Sequence, residues 1–185
     1  MMEEYKKYEN DLKDLEYISK KVGFPVEYTQ GGGGNTSVKL DEQYMAVKAS
    51  GCKLKDITPT SGYVVVDYKK IKGYYENVDI NEDRDYEKES ADIAKQSIWQ
   101  VPWLKPMRPS VEAGFHSVLK KYVIHTHTVY AHILTCIKNG REMVERIFSG
   151  KAYETVWIPY INPGFCLTLK IMDEIKACIQ RTGKE

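Results

Sequence analysis

Four consecutive glycines, Gly31 to Gly34, separate two stretches whose apolar residues repeat with different periods. Before them, Tyr5, Tyr8, Leu12, Leu15, Ile18 and Val22 recur every three or four residues, the spacing of one helix face. Gly23 and Pro25 stop that helix, which is expected over about residues 3–22. After the glycines, Val38 and Leu40 alternate with polar neighbours as a strand does. Asp41-Glu42-Gln43 supplies a turn, and Tyr44 to Lys48 reads as the return strand. A helix that hands over to a hairpin commits the chain to packing helix on sheet.

The rest of the chain continues that pattern. Tyr63 to Asp67 is a short β-branched run and predicts a third strand. Residues 69–108 read as an excursion outside the core sheet, with a polar stretch, a helix from about Tyr86 to Trp99, and Pro102, Pro106 and Pro109. Trp99 and Trp103 ask for burial. Pro109-Ser110 opens a helix running to about Lys121, and Tyr122 to His127 is a strand. Val129 to Lys138 and Arg141 to Phe148 are helices, Thr155 to Ile158 is a strand, and Leu167 to Arg181 is the last helix, with Gly183 after it. Interleaved helices and strands, with early hairpins, predict a single α/β domain over residues 1–185. Its form is a three-layer α/β/α sandwich around a mixed, largely antiparallel sheet.

Composition narrows the function classes. The 185 residues are 42% hydrophobic, enough to bury one core. A formal net charge of +1 gives no broad electrostatic case for nucleic acid or an anionic membrane. No apolar run approaches the roughly 20 residues that span a bilayer. The polar start, Met1-Met2-Glu3-Glu4-Tyr5-Lys6-Lys7, has no apolar signal region. Cys52, Cys136, Cys166 and Cys178 form no C-x-x-C pair and read as reduced core thiols of a cytoplasmic protein.

His125-Thr126-His127 carries the sharpest chemistry. Residues two apart in a strand project from one face, so two imidazoles there can share one metal ion. Zinc accepts neutral imidazole nitrogen readily. The bland reading is two surface histidines. Glu112, in the first turn of the preceding helix, either complements the helix dipole or faces the histidines as a metal ligand or acid/base. His116, four residues on, either orients Glu112 or packs. The glycines with Asn35-Thr36-Ser37 are an anion cradle or a flexible linker, being neither a P-loop nor a dinucleotide fingerprint. Ser50-Gly51 and Ser110 are further candidate phosphate donors.

In order along the chain, Gly34-Asn35-Thr36-Ser37, Ala49-Ser50-Gly51, Arg108-Pro109-Ser110-Val111-Glu112, His125-Thr126-His127 and Tyr160-Ile161-Asn162-Pro163-Gly164 resemble the class II aldolase/adducin family. Its members include fuculose-phosphate and rhamnulose-phosphate aldolases, ribulose-phosphate epimerases and methylthioribulose-phosphate dehydratases. The resemblance implies a metal-dependent aldehyde-lyase that cleaves a phosphorylated ketose through a zinc-stabilised enediolate. The alternatives it carries are an epimerase or dehydratase on the same scaffold, or a non-catalytic adducin-like binding module. Gly34, Asn35, Ser50, Gly51 and Ser110 would bind the substrate phosphate. Glu112 would be the catalytic acid/base, and His125 and His127, with Glu112, would hold Zn2+ or another divalent metal. The implied assembly is a homotetramer.

Two positions depart from the family pattern. Val111 stands where a second hydroxyl often precedes the glutamate. The third histidine ligand, which normally follows the last helix, is absent, since no histidine follows His132. The expectation is a chain shortened before its C-terminal strand.

Overall fold

A computed structural model describes residues 2–184. Tyr8, Leu12 and Leu15 form one buried stripe of helix α1 (Met2–Gly23). Leu12 and Leu15 are fully buried, each worth about 1.5–3 kcal/mol of transfer free energy. That stripe lies on a four-stranded sheet of β1 (Asn35–Lys39), β2 (Tyr44–Lys48), β3 (Tyr63–Asp67) and β4 (Tyr122–His125), in the order β3-β2-β1-β4. Each pairing is antiparallel. The hairpin predicted on alternation is present, with Val38 opposite Ala46.

Strand alternation divides the core in two. Val38, Ala46, Tyr63 and Val65 face α1 and the 3-10 turn Leu54–Asp56. Met45, Val47, Val64 and Val66 face the other way, against helices α2 (Tyr68–Asn77), α3 (Tyr86–Gln96), α4 (Ala113–Val118) and α7 (Phe165–Thr182). Period two explains why neighbouring residues of one strand belong to different cores. The architecture is the α/β sandwich expected, with helices on both faces of an antiparallel sheet.

Several local expectations are corrected. Residues 69–108 contribute no strand to the four-stranded sheet, but they pack closely on its core. Ile71 and Tyr75 of α2 are buried in it, and Trp99 N–H donates to Val65 O at 2.9 Å. Trp103 Nε1 donates to Tyr63 Oη at 3.0 Å. The helix expected from Pro109 to Lys121 is only α4, because Leu119 turns extended and the Lys39 ammonium caps the Leu119 and Lys120 carbonyls. The strand expected to His127 stops at His125. Its partner β1 begins at Asn35, opposite His125, and Gly34 turns away with φ +75°. Helix α5 (Val129–Thr135) ends short of Lys138, whereas α6 (Gly140–Phe148) lies as predicted. Residues Thr155 to Ile158 form no strand, since neither sheet edge pairs with them. The expectation of four core thiols also fails: Cys178 is buried, but Cys136 and Cys166 are exposed.

Candidate functional site

Topology brings the motifs together. Because β1 runs antiparallel to both β2 and β4, its N-terminal end lies beside their C-terminal ends. Gly34-Asn35, Ala49-Ser50-Gly51 and His125-Thr126-His127 therefore share one end of the sheet. Ala49 bridges to Pro109, and Ser50 N–H donates to Arg108 O at 3.0 Å. Those contacts pin the segment carrying Ser110 and Glu112 to the same end. His127 N–H donates to Tyr28 O at 2.9 Å, which holds His127 beyond the strand against the start of the glycine loop.

Glu112 is the hub. It stands at the N-cap of α4, and its carboxylate is largely buried. Asn35 Nδ2 donates to Oε2 at 2.9 Å, and Ser110 Oγ donates to the same oxygen at 3.3 Å. His125 Nδ1 lies 3.1 Å from Oε1. That approach is within ion-pair distance but is not aligned as a hydrogen bond, and the buried Nδ1 has no hydrogen-bond partner among the described residues. Burial works to raise the Glu112 pKa. The adjoining His125 and the Asn35 amide outweigh it and hold the carboxyl down at about 2.

The imidazoles form a row. The His125 and His127 rings are 4.9 Å apart between centroids, and His127 and His132 are 6.2 Å apart. Burial, followed by the charge of His125, lowers the His127 pKa. Gly33 and Gly34 make room for this row. A Cβ on Gly33 would lie 2.9 Å from His127 Nδ1, and one on Gly34 would lie 2.8 Å from the His125 carbonyl oxygen. The glycine run is therefore more than a linker at its last two residues.

A divalent cation can be tested against these donors. Metal–ligand bonds of about 2.0–2.2 Å put neighbouring donors of a tetrahedral site about 3.3 Å apart. The Glu112 Oε1 and the buried His125 Nδ1, which has no hydrogen-bond partner among the described residues, lie 3.1 Å apart and match that spacing and that donor chemistry. No group of three His, Cys, Asp or Glu side chains able to hold a metal occurs among the described residues. The donors fit in kind and in the Glu112–His125 pair, with the set one donor short.

The expected phosphate residues divide. Ser50 and Gly51 form a turn at the site, with Gly51 exposed at φ +81°. Asn35 and Ser110, by contrast, are turned onto Glu112. Asn35 is fully buried, with its Oδ1 unpartnered among the described residues. Two residues at this end were not anticipated in their roles. Lys48, 4% exposed, donates from Nζ to Cys52 O at 3.0 Å beneath the Ser50-Gly51 turn. The signal was a lysine in phase with core-facing Ala46. Ser37 bonds His116, which neither faces the solvent nor reaches the Glu112 carboxylate.

The family model described as Class II Aldolase and Adducin N-terminal domain matches residues 18–183. Among curated proteins, the chain is 29% identical over 175 residues to the "Uncharacterized oxidoreductase YuxG" of Bacillus subtilis (strain 168), covering 89% of this chain and 23% of that protein. The chain thus spans about a quarter of that relative's length. Among solved structures, it is similar to the N-terminal class II aldolase domain of a conserved protein from Thermoplasma acidophilum. The TM-score is 0.72 at 26% identity, over 88% of this chain and 74% of that one.

Proposed function

The chain belongs to the family of class II aldolase and adducin N-terminal domains, and from that membership and the surroundings of Glu112 we propose that it is a divalent-metal-dependent lyase domain acting on a phosphorylated ketose. One observation carries the reading. Glu112 offers one oxygen to a buried His125 Nδ1 at 3.1 Å that has no hydrogen-bond partner among the described residues, while Asn35 and Ser110 fix its other oxygen.

In this reading His125 and His127 hold the metal, zinc for preference, with Glu112 beside them. When bound, the cation supplies Lewis acidity toward the oxygens of a ketose. Glu112 moves the proton. Its carboxyl is ionised at neutral pH, so it starts turnover as the acceptor, and Asn35 and Ser110 hold it in one orientation. The buried Asn35 Oδ1 is an acceptor suited to a substrate hydroxyl. Gly34, Ser50, Gly51 and Ser110 line the phosphate end, with the Lys48 ammonium beneath the turn supporting an anionic group there.

The proposal extends to assembly and setting. Ile124, Tyr130 and Ile133 are each at least half exposed on β4 and α5, which supports association of identical chains, a tetramer by resemblance. Four free thiols support a reducing, cytoplasmic setting.

Zinc content and turnover test the reading together. The expected result is zinc bound by the chain and lost in His125→Ala, with release of an aldehyde from a ketose 1-phosphate. Glu112→Gln should slow that release by about 10²–10⁴-fold. A chain that binds no zinc overturns the metal part. Zinc binding without cleavage of any ketose 1-phosphate overturns the lyase part in favour of an epimerase, a dehydratase or a binding domain.

A further inference from the structure

His116 is a polar group in an apolar position. It is fully buried in α4, its ring stacks on Phe115 at 4.8 Å, and burial pushes its pKa down to about 3, so the imidazole is neutral. Its Nδ1 shares a hydrogen bond of 2.7 Å with Ser37 Oγ, itself 1% exposed. Its Nε2 has no partner among the described residues. Packing alone is better served by leucine or methionine, which leave no buried nitrogen unsatisfied. What the imidazole adds is the bond to Ser37.

That bond has a particular place. Ser37 and Asn35 are two apart on β1 and project from the same face. His116 and Glu112 are four apart at the start of α4, joined by a bond from His116 N–H to Glu112 O at 3.2 Å. Two residues of strand span about 6.6 Å and four residues of helix about 6.0 Å. The two spacings match, so β1 and α4 are tied by two parallel rungs, Asn35–Glu112 and Ser37–His116. Only the first rung lies at the candidate site. The second adds a directional tie to the packing that holds α4, a helix of six residues, against α2 and α7: apolar contact sets its distance, and the hydrogen bond sets its height and rotation on β1.

We infer that His116, with Ser37, is the positioning residue of the site: it holds α4 against β1 so that the Glu112 carboxylate stays on the Asn35 amide and beside His125. The inference rests on the reading of Glu112 as the functional carboxylate, but it is a statement about geometry and is tested without a substrate.

The readout is the side-chain amide of Asn35 in ¹H–¹⁵N spectra of the whole chain, with backbone amides of Val47 and Val65 as a control for global opening. In His116→Leu, the Asn35 amide is expected to move toward its free position and exchange about tenfold faster or more, the same change expected in Glu112→Gln. Core amides stay protected. His116→Asn, which keeps a nitrogen near the place of Nδ1, should restore the amide. If His116→Leu does not fold, Ser37→Ala removes the same rung with a smaller change and must give the same shift. An Asn35 amide unchanged in these variants overturns the inference, as does loss in step with the core amides.

A second readout uses zinc alone. Ser37→Ala should weaken zinc binding in the wild-type background and not in the Glu112→Gln background, because its effect passes through that carboxylate. Additive losses overturn the inference. Absence of zinc binding by the unaltered chain overturns the proposed function instead, and the Asn35 amide still decides the role of His116.

Discussion

Asn35 Nδ2 donates a 2.9 Å hydrogen bond to Glu112 Oε2 across 77 residues of sequence. Asn35 is fully buried at the start of β1, and Glu112 stands where α4 begins. The bond therefore joins the sheet to the helical layer at the end of the sheet where His125 and the Ser50-Gly51 turn also lie. In this arrangement the Asn35 amide supports the carboxylate.

Removing that support should be costly. Asn35→Ala deletes a donor to a largely buried carboxylate. A loss of about 1–3 kcal/mol of stability is expected. Urea unfolding checks it, and an Asn35→Ala chain as stable as the parent would show that water replaces the amide without penalty.

Acid should weaken the fold from near neutrality. His116 is held below its ordinary 6.5, at about 3, because burial penalises the charged ring. Between those two values the unfolded chain binds the extra proton and the folded chain does not. Stability is thus fully present above pH 6.5 and falls as pH drops, by up to about 1.4 kcal/mol per pH unit from this group. Glu112, lowered from 4.5 to about 2, adds a loss in the window below 4.5. In His116→Leu the loss between pH 6.5 and 4.5 should shrink to what His127, also lowered by burial, contributes. Denaturation midpoints measured across pH 3–7 test this sign and window.

Two glycines of one run should respond oppositely. Gly34 has φ +75°, and a Cβ there would sit 2.8 Å from both the His125 carbonyl oxygen and Thr29 Cγ2. Gly34→Ala combines backbone strain with a clash against β4 and should cost about 1–3 kcal/mol or more. Nothing lies within 4 Å of a Cβ on Gly32. Gly32→Ala should therefore stay within about 1 kcal/mol of the parent, on the stabilising side if its backbone fits. Paired thermal melts decide between this and a run of interchangeable linker glycines.

The segment after β3 is core rather than appendage, and Ile71 tests that. It is 1% exposed on α2 within the helical-side core. Ile71→Ala should cost about 2–5 kcal/mol. A cost under about 0.5 kcal/mol in urea unfolding, the range of surface positions, would show that α2 does not belong to the core.

Much of this was legible from residue order. Local periodicity marked α1, the β1–β2 hairpin, β3 and α7, since each rests on its own alternation or helical spacing. The same reasoning overran at α4 and β4. Their lengths are set by partners: Lys39 caps the end of one, and the start of β1 at Asn35 limits the other. Thr155 to Ile158 shows the converse, a strand-like run with no ladder to join. Helix α2 was missed because its polar face, Lys69, Lys70 and Lys72, masked the buried Tyr68, Ile71 and Tyr75.

The sequence by itself determined which groups the candidate site has: a carboxylate at 112, imidazoles at 125 and 127, and small polar and glycine turns near residues 34, 50 and 110. Only the tertiary structure decided how they meet. His116 could as well have oriented Glu112 directly, and Asn35 could have faced open solvent. Those outcomes depend on the antiparallel register of β1 with β4 and on the docking of α4 across β1. Both are packing relationships between segments some 80 residues apart, and no local pattern encodes them.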